Sequence, residues 1–409
     1  MLPNQTEFRL THLTRSLLDL LDTTAEAEFR DVVCAFLDEH GHKGQRAAGD
    51  TSDEPMSRED LADWGAALVS RGWVAPAWPT EYGGAGLTIK QQFILNHELA
   101  ERGLSNVGGL GASYFGPALL VHGSEEQKQE LLPGILSGEV MWAQGWSEPG
   151  SGSDLASLQT RATRDGDEYV INGQKIWTSG AQHADRMYLL TRTDPDAPKH
   201  RGISLLMLGM HQQGVSVRPL TTMDNRQPFN EVFFEDVRVP ISDRIGEENR
   251  GWYVGMTLTD FERSNIGSNV AVKHTLAEAL ALAKTAPADQ VRGRDTGAWR
   301  SAFVDRWVEG EVSFLFAFLN VSIQDAKMVP NYEASMAKLF LSELNQRVSL
   351  TNHRLLGLYG MVWDGDREDA QRGTYARAHL GSVSSTVAGG TSEIQRNIIA
   401  TRGLGLPRG

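Results

Sequence analysis

Four short stretches of the chain combine residue types that could do chemistry. Residues 144–154 bring Gln144, Trp146, Ser147, Gly152, Ser153 and Asp154 into a turn of small residues and hydroxyls. Such a turn lets backbone N–H groups approach an anion or the polar edge of a ring, although by itself it reads equally as a polar loop. Farther on, Lys175-Ile176-Trp177-Thr178-Ser179-Gly180 sets a flat aromatic and hydroxyls at the end of a strand, where a core tryptophan is the commoner outcome. Asp260-Phe261-Glu262-Arg263 crowds charge into one helical turn, a pattern that alone reads as a solvated helix face. Gly389-Gly390-Thr391 then opens the last helical segment. The first two stretches follow each other in one small β region, and that pairing favours a shared ligand over two unrelated local features.

Composition narrows the chemistry. With 409 residues the chain has room for about two to four domains, and 40% hydrophobic with 22% charged residues is ordinary for a globular protein. A net charge of −13 disfavours nucleic acid as a partner. The single cysteine, Cys34, can make neither an intrachain disulfide nor a cysteine metal site, so no metal and a reducing cytoplasmic compartment are expected. Residues 103–124 lack formal charge but hold six Gly and Pro117, which points to loop and buried helix, not membrane insertion. The first 23 residues show no export signal. G-x-G-x-x-G, Walker A, H-E-x-x-H and G-x-S-x-G are all missing, which removes the Rossmann, P-loop, zincin and nucleophile-elbow readings.

The elements that must position these residues fall into three blocks, expected as domains at residues 1–138, 139–245 and 246–409. In the first, Phe29, Val32, Val33, Phe36 and Leu37 recur with helical spacing, and further helices fit 58–70, 90–102 and 125–136. In the second the period becomes two. Asp165-Gly166-Asp167 and Asn172-Gly173 read as turns, the pair 169–171 and 175–177 as a hairpin, with further strands at 187–192, 203–208, 215–220 and 231–239. In the third, long apolar helices fit 253–285, 299–323 and 331–356, with shorter ones at 371–380 and after Thr391. The fold class is therefore α+β: an N-terminal helical domain, a middle antiparallel β domain and a C-terminal helical bundle.

In this order the chain resembles the acyl-CoA dehydrogenase family of flavoproteins. The resemblance rests on residues 82–88, 122–128, 146–154, 171–177, 233–240, 260–263 and 390–397, and it spans about residues 24–407. It implies FAD held by backbone groups of Gln144 and Trp146 and the Ser147 hydroxyl at the pyrimidine edge of the ring. Trp177 would flank the ring and Ser179 would face its N5 side. Gly152 and Ser153 would lie near the pyrophosphate or the CoA arm, with Thr391 and Glu393 near the adenosine ribose. The adenine half would reach a neighbouring subunit, at an Arg within 292–300 and at a turn reading Arg354-Leu355-Leu356-Gly357. Arg354 stands there in place of the family's Gln and could meet the pyrophosphate instead. Asp260, Arg263 and Ser153 are expected beside the acyl-CoA substrate.

The reaction so implied removes the α proton of a thioester and a hydride from the β carbon, and it passes electrons to an electron-transfer flavoprotein. The base usual in the family precedes the Gly-Thr of the tail, where this chain has Gly389. Related branches carry it at the place of Glu262, so Glu262 is the expected base and Gly389 keeps a backbone N–H for the thioester oxygen. Two alternatives remain open: a base-lacking subunit of a heteromeric dehydrogenase, and a flavin monooxygenase on the same fold. The resemblance further implies a homo- or hetero-tetramer built through the C-terminal helices. Glycines 103, 108, 109 and 111 could leave space for a bulky acyl chain, or could be turns.

Overall fold

The computed structural model describes residues 22–45, 58–261, 266–288, 290–363 and 370–407. In chain order the helices are α1 (Thr24–His40), α2 (Arg58–Ser70), α3 (Ile89–Glu101), α4 (Gly116–His122) and α5 (Glu125–Ser137). After the sheet come α6 (Gly251–Phe261), α7 (Ile266–Thr285), α8 (Gly297–Asp325), α9 (Tyr332–Leu355), α10 (Ala370–Gly381) and α11 (Ser392–Ile398). Between them lie β1 (Trp142–Gly145), β2 (Arg161–Asp165), β3 (Glu168–Ser179), β4 (Arg186–Arg192), β5 (Ile203–Gly209), β6 (Val215–Leu220), β7 (Phe229–Pro240) and β8 (Arg244–Ile245). The helix–sheet–helix order is the one expected from the apolar periodicity.

Helix starts follow from local chemistry. Thr23, Thr88 and Ser124 each accept an N–H of the first turn, while Glu26, Gln91 and Gln127 answer back to the cap residue, closing three capping boxes. The stretch expected as one helix over 253–285 is described as α6 and α7, and residues 262–265 lie outside the described set.

The chain forms two compact units. One comprises residues 56–86 and 106–262, and it holds the sheet with α2, α4, α5 and α6. Its eight strands run in the order β6-β7-β3-β2-β4-β5-β8, with β1 added beside β4. The pairing is antiparallel except for β1 on β4 and one residue pair of β2 on β4. Tyr169, Ile171, Met187, Leu189, Leu206, Val232, Phe234 and Val237 are buried together as its core.

Two local readings need correction here. Asn172-Gly173 is not a turn: β3 runs straight through it, and the hairpin is β2–β3 about Gly166. Gly173 (φ 149°) sits where a Cβ would lie 2.7 Å from the Thr160 Cα, so glycine allows a close crossing and a register shift instead of a chain reversal. The glycines offered as acyl space also divide. A Cβ at Gly108 would come within 2.4 Å of the Ala112 Cβ, and one at Gly111 within 3.0 Å of Ile135, so both serve close packing. Gly103 and Gly109 have left-handed backbone, Gly103 in the turn after α3 and Gly109 at the start of the helical stretch that leads into α4.

The other unit takes residues 1–55, 87–105 and 263–409. Here α1 and α3 join the C-terminal helices, and Leu276, Ala279, Trp299, Phe303, Leu344, Val348 and Leu355 of α7, α8 and α9 form a common core. Burying one such leucine or valine side chain contributes about 1.5–3 kcal/mol. No helix among the described residues is long and apolar enough to cross a membrane.

Candidate functional site

In the sheet unit, β1 ends at Gly145 and the chain turns through Trp146, Ser147 and Glu148 into a tight loop. Gln144 accepts from the Tyr188 hydroxyl at 3.4 Å, which sets its side chain along β4. Glu148 and Ser151 exchange backbone hydrogen bonds of 3.0 Å, and the Ser151 hydroxyl closes the loop onto the Asp154 and Leu155 carbonyls. Gly152 and Ser153 are left exposed at its tip.

Next to this loop runs the end of β3. The register with β7 shifts between Lys175, opposite Val232, and Thr178, opposite Asn230, so two residues face one. Trp177 sits in this bulge at φ 60°, a left-handed backbone that a bulky residue rarely adopts, and it stays 57% exposed with only an edge contact to Phe229 at 6.1 Å. A core tryptophan would do neither. The bulge turns a large flat side chain outward at a backbone cost, which is how strain is held at functional sites. Ser179, after it, is exposed, while the buried Thr178 Oγ1 and Trp146 Nε1 have no hydrogen-bond partner among the described residues.

Beneath the loop lies a pair that the sequence reading did not single out. Lys175 is fully buried, and its Nζ donates to the Trp146 carbonyl at 3.1 Å and to Glu148 Oε1 at 2.8 Å. Glu148 also accepts the backbone N–H of Gln159 at 2.6 Å and of Thr160 at 2.9 Å. Burial pulls the Lys175 ammonium down to about 8, and the Glu148 carboxylate beside it opposes that pull. Burial alone would raise the Glu148 carboxyl, but Lys175 and these donors outweigh it and hold it below the usual carboxylate range. The Ile176 N–H adds a bond to the Ser147 carbonyl at 2.9 Å. The only available signal was Glu148 and Lys175 occurring in the two stretches already chosen.

In the helical unit, the tail before α11 runs through Gly389 (φ 63°) and Gly390 (φ 88°), both left-handed. Gln395 Nε2 donates to the Gly389 carbonyl at 2.9 Å and Lys338 Nζ to the Gly390 carbonyl at 2.7 Å. In a trans peptide the N–H points away from its carbonyl, so these two contacts aim the Gly390 and Thr391 amides the other way. Successive amides in such a turn form an anion-binding concavity. Thr391 caps α11 by accepting from the Ile394 N–H at 3.2 Å. Thr391, exposed Glu393 and the buried hydroxyl of Ser392, which has no partner among the described residues, border an open cavity of about 510 Å³ with Glu343, Arg347 and Arg396.

Arg354 and Gly357 fall elsewhere. Arg354 is exposed at the end of α9, and Gly357 (φ 56°) turns the chain after it. The arginine-rich turn Arg292–Asp295 packs here: a Cβ on Gly293 would lie 2.3 Å from the Arg354 carbonyl. Arg294 and Arg300 pair with Asp295, whereas Arg292 and Arg354 have no acidic partner among the described residues. Lys338, which holds the Gly390 carbonyl, lies 16 positions before Arg354 on α9, a rise of about 24 Å at 1.5 Å per residue. Thr391 and Glu393 border Glu343 and Arg347 farther along the same helix, so the tail spans its middle, and Arg347 lies seven positions, about 10 Å, before Arg354. Asp260 lies in the last turn of α6, its side chain undescribed, and Glu262 and Arg263 lie outside the described residues.

A flat ring with a polar edge fits the loop and bulge. Within the sheet unit, the buried Trp146 Nε1 and Thr178 Oγ1, which have no hydrogen-bond partner among the described residues, and an outward aromatic in a strained bulge are groups such a ring could use. Together with the helix–sheet–helix order they define the class of flavin-dependent oxidoreductases. Three domain families match in succession: acyl-CoA dehydrogenase N-terminal domain over residues 23–139, middle domain over 143–237 and C-terminal domain over 249–404. Acyl-CoA dehydrogenase IpdE1 of Mycobacterium tuberculosis is 33% identical over 370 residues, covering 89% of this chain and 92% of its own. The solved Tcur3481-Tcur3483 steroid ACAD aligns over 96% of this chain and all of its own, with a TM-score of 0.81 and 32% identity. The ChsE4-ChsE5 complex of Mycobacterium tuberculosis aligns over 95% of this chain and 100% of its own, with a TM-score of 0.78 and 32% identity. The chain belongs to the acyl-CoA dehydrogenase family: it is a flavoprotein oxidoreductase that acts on acyl-CoA.

Proposed function

We propose that the chain catalyses FAD-dependent α,β-dehydrogenation of an acyl-CoA thioester to the trans-2-enoyl-CoA, with electron-transfer flavoprotein as acceptor, in the cytoplasm. The observation that carries this reading is Trp177, held outward in a left-handed bulge beside the closed 146–151 loop. FAD, when bound, supplies the hydride acceptor. Gln144, Trp146, Ser147, Trp177 and Ser179 bind and orient its ring, Gly152 and Ser153 its pyrophosphate side, and Thr391 and Glu393 its ribose. Glu262 takes the α proton, and the Gly389 amide donates to the thioester oxygen, where charge develops. Asp260 and Arg263 orient the substrate beside it. The domains are those set out from the sequence, at 1–138, 139–245 and 246–409.

The cofactor is shared between copies, with Arg354 and Gly357 of one chain serving the adenine half held by another. Exposed Val304, Trp307, Val308 and Leu315 on α8 offer apolar surface for such an assembly, a homotetramer or a dimer of dimers with a related chain. The two-protein ChsE4-ChsE5 complex is a precedent for the second form. The name of the Tcur3481-Tcur3483 neighbour supports a bulky, steroid-like acyl group. The test is anaerobic bleaching of the purified yellow protein with a panel of acyl-CoA thioesters, from short linear to polycyclic. Glu262→Gln should keep FAD and lose bleaching by about 10²- to 10⁴-fold. A parent that takes up no FAD, or a Glu262→Gln variant that bleaches like the parent, overturns the assignment.

A further inference from the structure

A lysine buried without a role in the chemistry calls for a physical account, because removing its ammonium from water costs several kcal/mol. Lys175 is 0% exposed, and it spends its bonds on the Trp146 carbonyl and Glu148. The C=O of Trp146 and the N–H of Ser147 belong to one planar trans peptide and point in opposite directions. Fixing the carbonyl on the ammonium turns the Ser147 N–H away from it, and that N–H meets no acceptor among the described residues. A charge on the carbonyl side also polarises the peptide and strengthens the donor on its far side.

We infer that Lys175 is a positioning residue which, through the Trp146–Ser147 peptide, presets the Ser147 N–H as a strengthened donor to the electron-rich edge of the flavin. Glu148 completes the device: it neutralises the ammonium and, through Gln159 and Thr160, anchors it to the start of β2. This rests on the FAD reading above but not on the identity of the base or the substrate. A buried pair kept only for stability behaves differently, since neutral side chains of similar volume often replace such pairs with no loss.

The experiment uses the full chain carrying Lys175→Met with Glu148→Gln, so that neither charge is left alone. Expected are an unchanged or higher unfolding temperature of the cofactor-free protein, an FAD dissociation constant raised about ten- to a hundredfold, and a lower midpoint potential of bound flavin. Lys175→Arg, which keeps the charge, should recover part of the potential. A double variant that binds FAD with parental affinity and potential overturns the inference, as does one that loses only thermal stability. Should the double variant not fold, amide exchange in the parent decides. FAD should slow exchange at Ser147, and exchange there that FAD leaves unchanged refutes the donor. A parent that binds no FAD would instead refute the functional assignment, so the two failures are distinct.

Discussion

Trp177→Asn separates a tryptophan that holds the fold from one that holds a ligand. Trp177 is 57% exposed, so roughly 110 Å² of it is covered, which at 25 cal/mol per Å² amounts to at most about 2.7 kcal/mol. Against this, asparagine tolerates the left-handed backbone at φ 60° and relieves about 1–2 kcal/mol of strain. The net loss in the cofactor-free protein is about 1 kcal/mol, or about 2–4 °C for a unit of this size, whereas truncating a core tryptophan costs about 3–5 kcal/mol. Stacking of a flat ring on an aromatic side chain is worth about 1–3 kcal/mol, so FAD affinity should fall about 5- to 150-fold. Scanning fluorimetry of the stripped protein and titration with FAD measure the two effects on one sample. A drop in the unfolding midpoint of about 10 °C with FAD affinity unchanged would show that the bulge serves packing.

Acid sensitivity should trace to Glu98, which accepts Arg30 at 2.6 Å and Arg102 at 2.8 Å. Burial would raise its carboxyl, but the two guanidiniums outweigh that and hold it at about 2. Because the folded-state value lies below the unfolded one, its contribution, about 2–3 kcal/mol, is present above pH ~4.5 and fades as pH falls toward 2. Glu98→Gln should flatten that limb of the stability–pH curve, and an unchanged limb would place the acid sensitivity elsewhere. Gly389→Glu, placed in the Glu262→Gln background, should restore part of the bleaching rate at a stability cost of about 1–2 kcal/mol, since φ 63° disfavours any side chain. No recovery would mean that the thioester does not pass this turn. Light scattering of the flavin-loaded protein should give a tetramer, and a stable loaded monomer would refute the shared adenine site.

The parts of this molecule legible from residue order are those fixed by local chemistry. Thr88 with Gln91 and Ser124 with Gln127 mark helix starts within four residues, continuous apolar runs mark β4 and β5, and period-two alternation marks β6 and β7. Asn172-Gly173 misled because the same dipeptide serves a type I′ turn and a bulge, and Thr160, far away in sequence terms, decides between them. The grouping of α1 and α3 with the C-terminal helices is likewise set by contacts between distant stretches, such as Phe93 against Val270, Ala317 and Val321. Trp177 was chosen for its type and its place at a strand end. Its left-handed backbone depends on the register of β7 and had no sequence signature. Lys175 is the sharpest case. Read alone, a lysine in an alternating strand belongs on the solvent face. Its burial follows only once Glu148, from another loop, and the Trp146 carbonyl are brought beside it, because those partners make an enclosed ammonium tolerable. The same partners that make its burial possible also fix the direction of the Ser147 amide, so the residue least legible as functional is the one that orients the most legible stretch of the site.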